Sequence, residues 1–336
     1  MKPSYVINVS LLEAHSGHGT TIAVAEGMAD RRRPAITAAS TLLLSALTLL
    51  PLRASDSPDN FKGRVDLVTL DVCVRDAAGR FLPTLNASDF LVLEDGAPQQ
   101  VAFLSPADAL PLRVVILIDA SASMAGVKLE RAIQAATKVA DLLEPDDQLE
   151  IIAFNQQASI VQAFGEDRSQ VRPTLTATHA SGTTAFNEAV LVAANELVRA
   201  RRANPIDVRE VIIALSDGED TASRVGFEEV LGALRRSGAI VYALSLRTGP
   251  TGNWLGATWP LMQLASDTGG RALAVPQIDA LDTLYKEIDQ EVRHLYRIGY
   301  VSSDARRDGR WRTLSVRVPS QDTKIQTRLG YYAPRR

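Results

Sequence analysis

Hydrophobic and polar positions change period twice along this chain. Over residues 65–75 they alternate, with Val68, Leu70, Val72 and Val74 on one side and Thr69, Asp71, Cys73 and Arg75 on the other, which predicts a half-buried β-strand. Asp76-Ala77-Ala78-Gly79 marks a turn, and the apolar runs 90–93 and 100–103 flank Glu94-Asp95-Gly96, an Asp-Gly hairpin signal. Pro106 and Pro111 bracket a short link. Residues 114–118, Val-Val-Ile-Leu-Ile, are continuously apolar, as in a strand covered on both faces of a parallel sheet. Helical and strand patterns then take turns: helices at 128–143, 186–200, 227–236, 261–267 and 279–294, strands at 149–154, 211–215, 240–246 and 272–275. After Tyr296 the period returns to two, with strands at 296–301, 312–318 and 324–331.

Strands alternating with helices predict a doubly wound, Rossmann-like α/β domain over residues 110–295, with helices on both faces of its sheet. It is flanked by an N-terminal β unit (60–108) and C-terminal strands (296–336). Three strands alone make a poor domain. The expectation is therefore that they pair with 60–108 into one β-sandwich-like unit, with the α/β domain inserted between its halves. Residues 1–54 read as a leader: Arg31, Arg32 and Arg33, an uncharged run over 35–52, then Ala54 as a small exit residue. Met28 just before the arginines is the expected true start. The run of about 18 residues reads alternatively as a membrane tether. Either way the folded part is expected to be exported, to the periplasm, the cell envelope or the medium.

Composition narrows the partners. A net charge of −3, from 36 basic and 39 acidic residues among 336, gives no cationic field for phosphate backbones, so nucleic acid is not expected. The single cysteine, Cys73, forms no internal disulfide and reads as a covered structural thiol. His15 and His18 lie in the leader, and His179 and His294 are isolated, so no zinc or triad constellation is present.

The sharpest chemical signal is Asp119-Ala120-Ser121-Ala122-Ser123, directly after the continuously apolar run. Ligands of an open parallel sheet bind at the carboxyl ends of its strands. A carboxylate and two hydroxyls spaced by two residues supply hard oxygen donors for magnesium, calcium or manganese. The same residues serve equally well as caps for the helix at 128. Asp217, in Ser216-Asp217-Gly218-Glu219-Asp220, follows the second wholly apolar strand, and Ser181-Gly182-Thr183-Thr184 precedes the helix at 186.

Together these elements resemble the metal-ion-dependent adhesion site, or MIDAS, of von Willebrand factor type A domains: Asp-x-Ser-x-Ser, a later Thr and a later Asp, in that order. The resemblance implies Ser121, Ser123 and Thr184 as hydroxyl ligands, with Asp119 and Asp217 as direct or water-bridged carboxylates. Thr184 is preferred to Thr183 on the family spacing Gly-x-Thr. Ala122 departs from the glycine of many relatives, which costs about 1 kcal/mol if the position needs a positive φ. Glu219 and Asp220 read as outer or solvated charges. Val65-Asp66-Leu67-Val68, Leu93-Glu94-Asp95-Gly96, Gly269-Gly270-Arg271 and Gly330-Tyr331-Tyr332-Ala333-Pro334 are similar to a bacterial family of exported proteins related to this domain.

The implied function is metal-dependent protein binding, with Mg²⁺ (or Mn²⁺ or Ca²⁺) coordinating an exposed Asp or Glu of a protein partner. Two alternatives are a structural envelope module without a working metal site and a magnesium-dependent hydrolase. The hydrolase reading lacks a second aspartate two residues after Asp119, where Ser121 stands, and has no Gly-x-Ser-x-Gly turn or well-placed base.

Overall fold

The computed structural model describes residues 66–106, 110–216, 220–246, 254–275, 277–319 and 322–335. The leader, its tether at 35–52 and the start at Met28 lie outside the described residues. Among those described, no helix is long and apolar enough to cross a membrane.

Chain order gives β1 (Leu67–Asp76), β2 (Leu91–Glu94), β3 (Ala97–Gln99), β4 (Val101–Ser105), β5 (Leu112–Asp119), α1 (Val127–Leu142), β6 (Gln148–Phe154), β7 (Ala158–Gln162), α2 (Val171–Thr176) and α3 (Phe186–Ala203). It continues with β8 (Arg209–Ser216), α4 (Phe227–Ser237), β9 (Ile240–Ser245), α5 (Trp254–Thr268), β10 (Ala272–Ala274) and α6 (Leu281–Arg293). The last strands are β11 (Tyr296–Val301), β12 (Trp311–Arg317), β13 (Thr323–Gln326) and β14 (Gly330–Tyr332).

A six-stranded sheet in the order β10-β9-β8-β5-β6-β7 forms the centre, parallel except for β7 at its edge. Every residue of β5 and β8 is buried because helices cover both faces. Within the unbroken apolar run, Val114, Ile116 and Ile118 face α1, α2 and α6, whereas Val115 and Leu117 face α3, α4 and α5. The period of two thus survives inside a run that shows no alternation of polarity. Helix ends follow local rules. Gly238 closes α4 at φ 75°, and Glu228 and Glu229 in its first turn with Arg235 and Arg236 in its last complement the helix dipole.

The remaining strands make two four-stranded sheets, β13-β1-β11-β4 and β14-β12-β2-β3, each mixing strands from before and after the α/β layers. β1 pairs antiparallel with β11 and β13, and β2 with β12. Both sheets contribute to one apolar core, including Val68, Leu70, Val72, Val92, Tyr296, Ile298, Tyr300, Leu314 and Tyr331. Buried against it, Glu94 accepts hydrogen bonds from Tyr300, Tyr331, Ser302 and Arg312 at 2.6–2.9 Å.

Several elements differ from the sequence expectation. β1 is less open to solvent than its alternation implies. On its polar side Thr69 is exposed, but Cys73 joins the core of the α/β layers and Asp71 meets Arg209 of β8 and Arg297 of β11. The Asp95-Gly96 hairpin joins β2 to β3, and the chain then passes Gln100 into the other sheet as β4, so 100–103 is not the hairpin's return strand. The expected strand 324–331 is two strands, β13 and β14, in different sheets. Edge strand β7 and helix α2 were not expected, being short and weakly periodic. Helix α5 begins at Trp254 and runs through Pro260, although proline normally favours a first-turn position.

Candidate metal centre

β5 ends at Asp119 and β8 at Ser216, and the two strands are in register, Ile118 opposite Leu215. Their carboxyl ends therefore open side by side. Asp119 is fully buried. Its Oδ1 accepts from the backbone N–H of Ser121 at 2.8 Å and its Oδ2 from the hydroxyl of Ser216 at 2.6 Å, which fixes the plane of the carboxylate. After it the chain makes a single 3-10 turn over Ala122–Met124. This turn brings the hydroxyl oxygens of Ser121 and Ser123 to 3.1 Å of each other, Ser121 buried and Ser123 exposed. Ala122 carries no penalty: Asp95 is the only non-glycine residue with positive φ among those described.

The loop before α3 is stitched to this turn through the backbone. Ser181 donates to the carbonyl of Ala120 at 2.8 Å, and Ala122 donates to that of Gly182 at 3.0 Å. Gly182 sits at φ 73°, a left-handed conformation natural to glycine. Of the two threonines that follow, Thr184 is buried and Thr183 exposed. Thr184 also ties in a third loop: its N–H donates to Thr221 Oγ1 at 3.1 Å, and its carbonyl accepts from Thr221 and Ala222 at 2.8 and 3.1 Å.

That third loop organises the start of α3. The N-cap residue, Ala185, has no side chain able to cap, and Asp220 does the task from a distance, accepting from Asn187 N–H at 2.7 Å. It also accepts from Ser223 N–H at 2.9 Å, while Ser223 Oγ accepts from Glu188 N–H at 3.0 Å. A carboxylate here meets the positive end of the helix dipole. Asp220, read from sequence as an outer or solvated charge, is thus a helix cap. Ser216, Thr221 and Ser223 were missed as supporting residues, although the polar run Ser216–Ser223 after an apolar strand was the available signal.

The structure accordingly gathers Asp119, Ser121 and Ser123 and bonds the Thr184 loop directly to theirs. Asp217 and Glu219 lie outside the described residues. The donor set present, one buried carboxylate and two neighbouring hydroxyls, has the chemistry of a hard-cation site and not of a thiophilic one. Among the described residues no group of three or more His, Cys, Asp or Glu is arranged to hold a metal.

The family model of the von Willebrand factor type A domain matches residues 114–287, more than half of the chain. The chain belongs to this family. The match covers nearly all of the six-stranded sheet and its helices, the von Willebrand factor A fold, and the family commonly mediates protein–protein interaction and adhesion. Similar curated proteins include inter-alpha-trypsin inhibitor heavy chain H4 from Bos taurus, 33% identical over 119 residues that make up 33% of this chain and 13% of that protein. The human H4 chain is 30% identical over 142 residues, 40% of this chain and 15% of that one. This chain therefore spans only about a seventh of the curated relatives it matches. Among solved structures, a von Willebrand factor type A protein from Catenulispora acidiphila is similar with a TM-score of 0.49 and 12% identity, covering 82% of this chain and 75% of that one. BatB from Bacteroides thetaiotaomicron gives 0.43 and 21%, covering 54% and 99%. In this von Willebrand factor A domain the cluster around Asp119 occupies the carboxyl edge of the central strands.

Proposed function

We propose that this chain is a metal-dependent protein-binding module, not an enzyme, in which Asp119, Ser121, Ser123, Thr184 and Asp217 hold one divalent cation that receives an Asp or Glu side chain of a partner. The observation that carries the reading is the fixed, buried Asp119 carboxylate beside two hydroxyls 3.1 Å apart at the carboxyl end of β5. Bound there, Mg²⁺, Mn²⁺ or Ca²⁺ supplies an electrophilic centre that accepts a carboxylate oxygen from outside. The chain's own residues prepare for this. Ser216 and the Ser121 N–H orient Asp119, the Thr184 backbone locks the second and third loops together, and exposed Ser123 marks the side open to a partner. Neutral hydroxyls in the donor set place less negative charge on the ion than a carboxylate cage would, which preserves its pull on an incoming acid. The leader read from the sequence supports export, where calcium and magnesium are at hand.

Titration calorimetry with Mg²⁺, Mn²⁺ and Ca²⁺ on the wild type and on Asp119→Ala tests the cation. Saturable heat in the wild type and none in the variant is expected; equal heats from both would remove the site. A pull-down from cell-envelope extract tests the partner, with EDTA and Asp217→Ala as controls, and proteins retained in both controls are not bound through this centre.

A further inference from the structure

Helix α5 is apolar on its outer side as well as its inner one. Leu261 and Leu264 are buried against the sheet, yet Trp259 and Met262, one turn apart, are 57% and 42% exposed. Leu329, 51% exposed, continues this strip at its lower end, where its N–H donates to the carbonyl of Asp267 in the last turn of α5 at 3.0 Å. At the upper end, toward the carboxyl edge of the sheet, Trp259 leans on Phe227, the first residue of α4, with ring centroids 6.0 Å apart. α4 therefore runs beside the strip. Its midpoint is Gly232, which offers no side chain, and the Arg236 guanidinium lies over it: a Cβ built there would meet Nη1 at 3.2 Å. Apolar residues exposed singly need no explanation, whereas a strip of them beside a bare helix midpoint marks an interaction surface.

We propose that this face, α4 together with the outer side of α5, is an interface between two copies of the chain, packed end for end about a two-fold axis near Gly232 and Met262. The reading goes beyond metal binding and does not depend on it. Charge along α4 selects the second copy as the occupant. Glu228 and Glu229 are exposed at the upper end and Arg236 at the lower, and none of the three has an ion pair among the described residues. Arg235 is already engaged, paired with Asp267 at 2.6 Å and lying over the Trp311 ring at 4.2 Å. Arg224, the exposed base ahead of α4, is tied toward α3, its N–H donating to Glu188 Oε1 at 2.9 Å.

A surface with acid at one end and base at the other is complementary to itself only when one copy is inverted, which is the relation a two-fold axis imposes. Glu228 and Arg236 lie about 12 Å apart along the helix, with Gly232 midway. Inversion about that point sets Glu228 of each copy against Arg236 of the other, while Trp259 of each copy moves toward the lower end of the other strip, where Leu329 stands. Apolar surface then leaves water on both copies. Because α4 starts at the edge where β8 ends, inverted copies point their carboxyl edges in opposite directions. One dimer thus offers two Asp119 clusters to two separate partners, a consequence that alone rests on the metal reading.

Sedimentation velocity of the full chain in EDTA, from about 1 µM to about 1 mM, tests the interface without involving the metal. A monomer–dimer equilibrium is expected. Met262→Glu should weaken it at least about tenfold, because two carboxylates are forced together in the apolar strip. Glu228→Arg and Arg236→Glu should each weaken it about threefold to tenfold, and the double exchange should restore the wild-type association, since it rebuilds both pairs with their signs reversed. All of these positions are exposed, so the variants should keep the far-ultraviolet spectrum of the wild type. A chain that stays monomeric across the series overturns the interface, including one whose Trp259 binds phosphatidylcholine vesicles instead. So does a double exchange no better than the single ones. The leader is the same in every variant, so association driven by residues 35–52 would show as equal dimerisation in all of them and would also overturn the proposal.

Discussion

The two ends of the six-stranded sheet handle charge in opposite ways. At the carboxyl end, Asp119 accepts hydrogen bonds from a backbone N–H and a serine hydroxyl. At the amino end, where the α/β layers meet the β unit, carboxylates are matched with guanidinium groups. Asp71 is gripped by Arg209 and Arg297 at 3.2 and 3.0 Å, Arg113 by Glu210 at 3.0 Å, and Asp147 by Arg293 at 2.7 Å. Glu291, fully buried on α6, collects Arg75, Arg271, Tyr242 and Gln326. Such pairs gain little over apolar packing once their desolvation is counted, but breaking one strands a buried charge. They therefore act as keys that fix how the β unit sits under the sheet. Hydroxyls at the other end do the reverse, shaping a site whose donors suit an incoming ion.

The contrast breaks most visibly at Glu291. Glu291→Ala strands Arg75 and Arg271 at the junction and should cost about 3–5 kcal/mol, read as a lower urea midpoint. Calorimetric metal binding of the surviving folded fraction should be unchanged; loss of metal heat at equal folded concentration would mean that the two ends are coupled. Next comes Asp71. Its burial raises the carboxyl pKa, but Arg297 and Arg209 together outweigh that effect and hold it down to about 2, below the usual 3.8. A depressed folded-state value stabilises above the unfolded value and is lost as pH falls through about 2. Roughly 2 kcal/mol of stability should therefore disappear between about pH 4 and 2, and Asp71→Asn should remove that part of the acid transition.

Smaller effects sharpen the picture of the upper edge. Gly182→Ala places a side chain at φ 73° and drives its Cβ toward the Gln156 carboxamide. Because Gln156 is exposed and can move, the backbone conformation dominates, and a loss of about 1–2 kcal/mol is expected in thermal unfolding. Asp220→Ala removes the remote cap and should cost about 1 kcal/mol, concentrated in the first turn of α3. Hydrogen exchange checks this: faster exchange at Asn187 and Glu188 is expected, with the middle of the helix unaffected.

Buried strands β5 and β8 were legible from their unbroken apolar runs, and the long helices from their 3.6-residue spacing, because local pattern and final burial agree there. The polarity of β1 misled in part. Alternation says that two faces differ, yet it cannot say that the polar one meets another layer carrying complementary charge. Nor can it say that the chain changes sheets at Gln100, since both sheets accept the same period.

At the site, sequence alone supplied the chemistry: a carboxylate and hydroxyls at spacings that place them where strands end. Tertiary structure decided what holds them. The Ser216 hydroxyl on Asp119, the backbone stitches between Ala120, Ala122, Ser181 and Gly182, and Asp220 capping a helix more than thirty residues earlier all join distant segments. Residue type and short-range period are written locally, whereas the partner that satisfies a buried polar atom is chosen only when the layers close.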